Sequence, residues 1–147
     1  GLFGEEIRQH CNYLKGVDLS GKMLSEAHRK NVYDKLMKED IVEFISKKSL
    51  NFDYFVLTDV FVYIGDLSDL FRLIKSRNKK SGKLLFSTEN YDGEGFFLEK
   101  SGRYSHSKSY IEGLCEEFGY GVRHFETNRI RKEKQQHIMG GLYVLEF

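Results

Sequence analysis

Three aspartates, Asp18, Asp40 and Asp59, each lie at the end of a predicted strand. A carboxylate accepts hydrogen bonds, so Asp18 at the end of a strand can bind both hydroxyls of a ribose. Asp40 can accept from an adenine amino group while the backbone N–H of Ile41 donates to the ring. Asp59 would then lie near the reactive end of the same ligand. The three positions therefore predict a site for an adenosine-containing cofactor.

The start of the chain supports this prediction. Gly1-Leu2-Phe3-Gly4 runs into a helical pattern, and a short apolar stretch ending at Asp18 follows. A glycine-opened helix before a strand with a terminal carboxylate is the second half of a nucleotide-binding βαβ unit. The first strand and its Gly-rich turn have no counterpart ahead of Gly1, so we expect the domain to be incomplete at its N-terminus.

Each candidate also has a purely structural interpretation. Asp18 can stabilise a turn beside Ser20, and Asp40 can cap a helix over residues 41–45. Asp59 can be a structural aspartate whose carboxylate is satisfied by a partner. Met23, one helical turn beyond Asp18, is either a core methionine or a residue that packs against the adenine face.

The elements that must position these residues alternate between helix and strand. Such alternation predicts one α/β domain over residues 1–147, with a mostly parallel, Rossmann-like sheet covered by helices on both faces. The last two strands have no helix between them, which indicates an antiparallel hairpin. The strongest strand signal is the aromatic and β-branched run at 52–62, and the Gly-rich stretch 89–104 is predicted to be a loop. We expect helices at 4–11, 20–27, 41–45, 66–76 and 107–118, and the other strands at 13–18, 33–37, 83–88, 122–131 and 141–147.

Composition excludes several classes of partner. The chain has 147 residues and a formal net charge of +1, so no global field favours nucleic acid. The basic run at 129–134 contains Glu133 and is better interpreted as a solvated hairpin tip than as a nucleic-acid site. No apolar run approaches the roughly 20 residues that span a membrane. Cys11 and Cys115 are expected to be free thiols in a reducing cytoplasm, and the histidine spacing predicts no metal site.

The quoted segments resemble the class I S-adenosylmethionine-dependent methyltransferases. Gly1 is similar to the last glycine of the family's first motif, and Asp-Leu-Ser-x-x-Met-Leu at 18–24 resembles its second motif, whose aspartate binds ribose. Glu39-Asp40 resembles the adenine-side motif, and Leu57-Thr58-Asp59-Val60 the fourth motif, at the methyl-transfer end. The resemblance implies S-adenosyl-L-methionine as cofactor, held by residues Gly1, Leu2, Asp18, Leu19, Met23, Asp40, Ile41, Asp59 and Val60.

A narrower resemblance concerns Ser-Gly-Arg-Tyr-Ser-His-Ser at 101–107 and Gly-Gly-Leu-Tyr-Val-Leu at 140–145. These segments are similar to a predicted methyltransferase group that is often fused to tetratricopeptide repeats. That likeness implies a repeat region elsewhere in the protein.

The acceptor side of the site is the least specified. Tyr104 and His106 are candidate catalytic residues, with His106 as a base because its ordinary pKa is about 6.5. The alternative is a loop histidine that hydrogen-bonds the backbone. Tyr63, Glu89 and Tyr91 are candidates to line the same cleft, with a core role for Tyr63 as an equal alternative. The acceptor is expected to be a small molecule, with a protein acceptor left open. The other functions considered are a nicotinamide-dependent oxidoreductase and a non-catalytic domain of the same fold.

Overall fold

The computed structural model describes residues 2–47, 49–133 and 136–147, except for the side chains at 133 and 136. The chain forms two compact units, Gly1–Lys48 (unit 1) and Ser49–Phe147 (unit 2). The prediction of a single domain over the whole chain stays a prediction.

Unit 1 is a short alternation of helices and strands. Its helices are Leu2–Ile7 (α1), Gly21–Arg29 (α2) and Ile41–Lys47 (α3), with a 3₁₀ turn at Arg8–His10. Its strands, Lys15–Asp18 (β1) and Lys35–Lys38 (β2), pair in parallel, with Asp18 opposite Lys38. The carboxyl ends of both strands therefore lie at one edge of this small sheet.

Local sequence explains most of unit 1. The Ser20 side chain accepts a hydrogen bond from the Met23 N–H and so begins α2, as the sequence predicts. Gly4 and Gly16 permit close packing, because a Cβ on Gly4 would lie 2.3 Å from the Tyr33 hydroxyl and one on Gly16 would lie 2.7 Å from Leu36. Tyr33 is also a near neighbour of Gly16, so these glycines let α1 and β1 pack against the Tyr33 ring.

Unit 2 is built around the strand Lys83–Asn90 (β4). Strand Tyr54–Leu57 (β3) pairs in parallel with its first half and strand Tyr104–His106 (β6) with its end. The long strands Gly121–Glu133 (β7) and Gln136–Glu146 (β8) form an antiparallel hairpin, with β8 alongside β4. The remaining elements are helices Ser68–Arg77 (α4) and Lys108–Phe118 (α5), strand Phe96–Leu98 (β5) beside β6, and a 3₁₀ turn at Phe61–Tyr63.

The core of unit 2 is aromatic. The rings of Phe86 and Tyr143 stack at 4.9 Å, and Phe61 and Phe71 pack against Phe86 at 4.7 and 5.8 Å. Phe61 and Phe71 are fully buried. Burial of several large rings at one point of β4 fixes the turn that contains Phe61 and the helix that contains Phe71 to the sheet.

Two sequence-based assignments in unit 2 are wrong. The predicted strand 52–62 ends at Leu57, because Asp59 adopts a left-handed backbone with φ of 57° and the chain then turns into the 3₁₀ segment. The predicted loop 89–104 contains the end of β4, all of β5 and the start of β6. Much of the charged connection expected at 132–137 is strand, and its residues 134–135 lie outside the described residues.

The fold class is nevertheless confirmed as mixed α/β and Rossmann-like, with the predicted C-terminal antiparallel hairpin. The α5 helix ends at Gly119 in the left-handed conformation, as expected of a C-cap glycine. None of the helices formed by residues 2–47, 49–133 and 136–147 is long and apolar enough to cross a membrane.

Candidate functional site

The carboxyl edge of the unit 1 sheet holds two of the predicted carboxylates. Asp18 ends β1, and Asp40 follows β2 by two residues. The backbone N–H of Glu39 donates to the Asp18 carbonyl at 3.3 Å, which ties the two strand ends together. The structure therefore brings Asp18 and Asp40 to one edge, as the sequence predicts.

Asp18 has one occupied and one available oxygen. Its Oδ1 accepts from the Ser20 N–H at 2.8 Å, which shapes the turn into α2. Within the described part of the chain, Oδ2 has no hydrogen-bond partner. The structural and the ligand-binding interpretations of Asp18 are thus compatible, since each uses a different oxygen.

Apolar side chains flank Asp18. Leu19 is 64% exposed and Met23 is 49% exposed, so neither belongs to the core. The core alternative for Met23 is therefore wrong, because α2 buries only Ala27. Exposed apolar side chains beside a carboxylate provide a surface against which an adenine ring can pack.

Asp40 caps α3. Its Oδ1 accepts from the N–H groups of Val42 and Glu43 at 2.8 and 3.1 Å. The neighbouring Ile41 is half-buried. The helix-cap interpretation of Asp40 is confirmed, and Oδ2 has no partner among the residues that the structure describes.

The first glycine motif is only partly visible. Gly1 lies outside the described residues, and Leu2, the first residue of α1, is 77% exposed. Burial against α1 raises the pKa of Tyr33, whose hydroxyl meets the backbone of Gly4. Gly4 is therefore a packing glycine.

In unit 2, Asp59 and Val60 follow β3 in a turn. The Asp59 N–H donates to the Ser87 Oγ at 3.2 Å, and its Oδ1 lies 3.3 Å from an Arg103 guanidinium nitrogen. The Arg103 guanidinium also lies over the Tyr63 ring, 5.4 Å from its centroid. Sequence reasoning made Tyr63 a candidate for the cleft but gave no role to Arg103, which is 44 residues from Asp59 and lies within the quoted segment 101–107.

His106 lies on β6, not in the predicted loop, and is 1% exposed. Its Nε2 lies 2.9 Å from the Gly65 carbonyl oxygen, so Nε2 carries the proton in this contact. Burial lowers the pKa of His106, although the Gly65 carbonyl opposes this shift. The neutral His106 ring stacks on the Tyr110 ring, with 5.9 Å between the two ring centroids. This geometry favours the backbone-bonding alternative over a solvent-accessible base.

The other acceptor-side candidates occupy the same end of unit 2. Tyr104 is half-buried, and its ring packs edge-on against the Phe96 ring with 6.1 Å between the ring centroids. Glu89 is buried at the end of β4, and its Oε1 lies 2.5 Å from Nη1 of Arg131 on β7. Tyr91 stacks on Phe97 at 5.5 Å. Glu89 thus forms a buried ion pair that joins β4 to the C-terminal hairpin.

A family model described as a methyltransferase domain matches residues 1–86. The chain belongs to this methyltransferase family. The match confirms the resemblance to class I S-adenosylmethionine-dependent methyltransferases, and with it the predicted enzyme class and the family's cofactor. It also favours methyl transfer over a nicotinamide-dependent reaction. Fusion to tetratricopeptide repeats stays a prediction. No curated protein matches the sequence.

Solved structures share the fold of this methyltransferase. An S-adenosylmethionine-dependent methyltransferase from Mesorhizobium loti is 20% identical with a TM-score of 0.71, covering 100% of this chain and 86% of that one. A second, from Clostridium acetobutylicum, is 17% identical with a TM-score of 0.71, covering 100% and 80%. The magnesium protoporphyrin IX methyltransferase of Synechocystis, bound to S-adenosylhomocysteine, is 14% identical with a TM-score of 0.68, covering 96% and 66%. At these identities the likeness shows the fold alone.

Proposed function

We propose that this methyltransferase transfers a methyl group from S-adenosylmethionine to a small-molecule acceptor, and that the carboxyl edge of unit 1 holds the adenosine. The observation that carries the proposal is the open Oδ2 of Asp18 beside the exposed side chains of Leu19 and Met23. In this arrangement Asp18 accepts hydrogen bonds from the ribose hydroxyls. Asp40 and the Ile41 N–H contact the adenine ring.

The cofactor supplies an electrophilic methyl group on a sulfonium, and the protein's own residues bind and orient the two reactants. Gly1 and Leu2 are proposed to approach the cofactor from the glycine motif. Asp59 and Val60 are proposed to lie toward the methyl-transfer end. Tyr104 is the catalytic candidate that contacts the acceptor, and His106 is assigned to positioning because its ring is buried and bound to Gly65.

A small-molecule acceptor is supported by the near-neutral charge of the chain and by one structural neighbour, which is a magnesium protoporphyrin IX methyltransferase. A protein acceptor is the second candidate. We further propose a cytoplasmic location, which the two free cysteines support.

Calorimetric titration of the full-length protein with S-adenosylhomocysteine tests the cofactor site. Asp18→Asn keeps a carbonyl oxygen for the Ser20 N–H and replaces the open oxygen by an NH₂ group. We expect this variant to bind about ten-fold more weakly, because it loses a charge-assisted hydrogen bond. Asp18→Ala also loses the turn and is expected to bind more weakly still.

Glu26→Ala is the matched control, since Glu26 is an exposed carboxylate of α2 that pairs with Arg29. It is expected to retain wild-type affinity, and thermal unfolding of each variant checks that it is folded. Wild-type affinity in Asp18→Asn and Asp18→Ala, or no binding by the wild type, contradicts the proposal.

A further inference from the structure

Asp59, Tyr63 and Arg103, which we name the Arg103 cluster, meet at the carboxyl end of β3. Arg103 follows the turn that joins β5 to β6, where the Glu99 N–H donates to the Arg103 carbonyl at 2.8 Å. The cluster therefore links this hairpin to the turn after β3. No motif of the sequence analysis assigns Arg103 a role.

The backbone at Asp59 is strained. Its φ of 57° lies in the left-handed region, which residues with a side chain adopt infrequently. The N–H bond to Ser87 and the contact with Arg103 hold this conformation in place. Such conformations persist where neighbouring groups fix them, and they concentrate at ligand sites. The Asp59 carboxylate is thereby aimed at Arg103.

Arg103 retains hydrogen-bonding capacity. A guanidinium has five N–H donors, and in the described part of the structure only the Asp59 Oδ1 accepts from this one. The Arg103 side chain is 27% exposed and that of Asp59 is 64% exposed, so the ion pair is partly hydrated and weak. An incoming anion can therefore use the remaining donors.

Tyr63 gives the cluster a flat apolar wall. Its side chain is 63% exposed, and the Arg103 guanidinium lies over the ring. An exposed aromatic ring offers packing contact to a planar group, and a neighbouring cation attracts an anion. A ligand that carries both groups side by side can therefore use both residues.

We propose that Arg103 and Tyr63 form the acceptor-recognition site, and that the acceptor carries a carboxylate next to a planar apolar group. Arg103 binds the carboxylate while Asp59 orients the guanidinium, and Tyr63 packs against the planar group. This inference rests on the proposed methyl transfer for the identity of the ligand as acceptor.

Benzoate is the probe, and benzamide is its neutral counterpart with the same ring. Binding is measured by NMR titration of the full-length protein, with and without saturating S-adenosylhomocysteine. We expect wild-type protein to bind benzoate with a dissociation constant of about 1 mM, a value reasonable for so small a ligand.

Arg103→Met retains side-chain length without charge and is expected to weaken benzoate binding about ten-fold. Arg103→Lys retains the charge but lacks the planar, forked arrangement of donors. Its affinity for benzoate is therefore expected to lie between those of the wild type and of Arg103→Met. Tyr63→Leu is expected to weaken benzoate and benzamide alike. Arg123→Met, which removes another exposed arginine paired with a carboxylate, is expected to bind benzoate as the wild type does.

Three results would overturn the proposal. They are no benzoate binding by the wild type, equal binding of benzoate and benzamide, and unchanged benzoate binding in Arg103→Met. Loss of S-adenosylhomocysteine affinity in Arg103→Met with benzoate binding intact would place Arg103 at the cofactor, which also contradicts it. Failure of the proposed function would be seen as a separate result, namely that the wild type does not bind S-adenosylhomocysteine. The benzoate titration without S-adenosylhomocysteine does not depend on that result.

Discussion

At the scale of single residues, His106 links protonation to folding. Its pKa is lowered by burial, and its Nδ1 has no hydrogen-bond partner among the described residues. Below a pH of about 6.5 the unfolded chain binds a proton that the folded protein excludes. The free energy of unfolding is therefore expected to fall as the pH drops from about 6.5 toward the lower folded-state pKa, by at most about 1.4 kcal/mol per pH unit.

Urea denaturation between about pH 5 and pH 8 measures this dependence. His106→Gln is expected to be less stable at pH 8, because it loses the ring contacts, but to show a shallower slope below pH 6.5. His137→Gln, which changes an exposed histidine of β8, serves as the control and should keep the wild-type slope. A wild-type slope in His106→Gln would show that His106 is not the titrating group.

At the scale of elements, Gly65 sets the position of the β5–β6 hairpin. A Cβ on Gly65 would lie 2.8 Å from the Tyr104 ring and 2.9 Å from the Phe96 ring, so both rings must move in Gly65→Ala. We expect this variant to lose about 1–3 kcal/mol of stability by overpacking. The hairpin shift should also weaken benzoate binding, because Arg103 follows the same hairpin turn.

Gly113→Ala is the matched control for this prediction. Gly113 lies in α5 with open space around its Cα, so alanine there should stabilise the protein by about 0.5–1 kcal/mol. Denaturation curves of the two variants separate steric displacement from the general effect of replacing glycine. Unchanged stability and unchanged benzoate binding in Gly65→Ala would show that the hairpin tolerates the extra methyl group.

The elements also show which features the sequence specifies. Ser20 and Gly119 act on neighbouring backbone groups, so the helix cap and C-cap that they form were predictable. The run 52–62 is largely apolar because β3 and the following 3₁₀ turn both contribute buried side chains, and apolarity alone cannot reveal the bend at Asp59. Strands β5 and β6 have three residues each and depend on pairing with distant partners. The Asp59–Arg103 contact is likewise non-local, so only the fold reveals it.

At the scale of the whole molecule, the two units differ in how much apolar surface they bury. Of the buried apolar side chains described, three belong to unit 1, namely Ala27, Phe44 and Ile45, whereas unit 2 contains the aromatic cluster around Phe86. Local stability follows buried apolar contact. We therefore expect amides of β1 and β2 to exchange with solvent at least about ten-fold faster than those of β4 and β8.

Cofactor binding should change this difference, because Asp18 and Asp40 both belong to unit 1. S-Adenosylhomocysteine at about 100 times its dissociation constant stabilises the binding-competent state by about 2.7 kcal/mol, which corresponds to about 100-fold slower opening. Hydrogen exchange followed by mass spectrometry is expected to show this slowing at β1, α2 and β2. Strands β4 and β8 supply the internal comparison within the same sample. Slowing confined to unit 2 would mean that the carboxyl edge of unit 1 does not hold the adenosine, since a ligand protects the segments whose opening releases it.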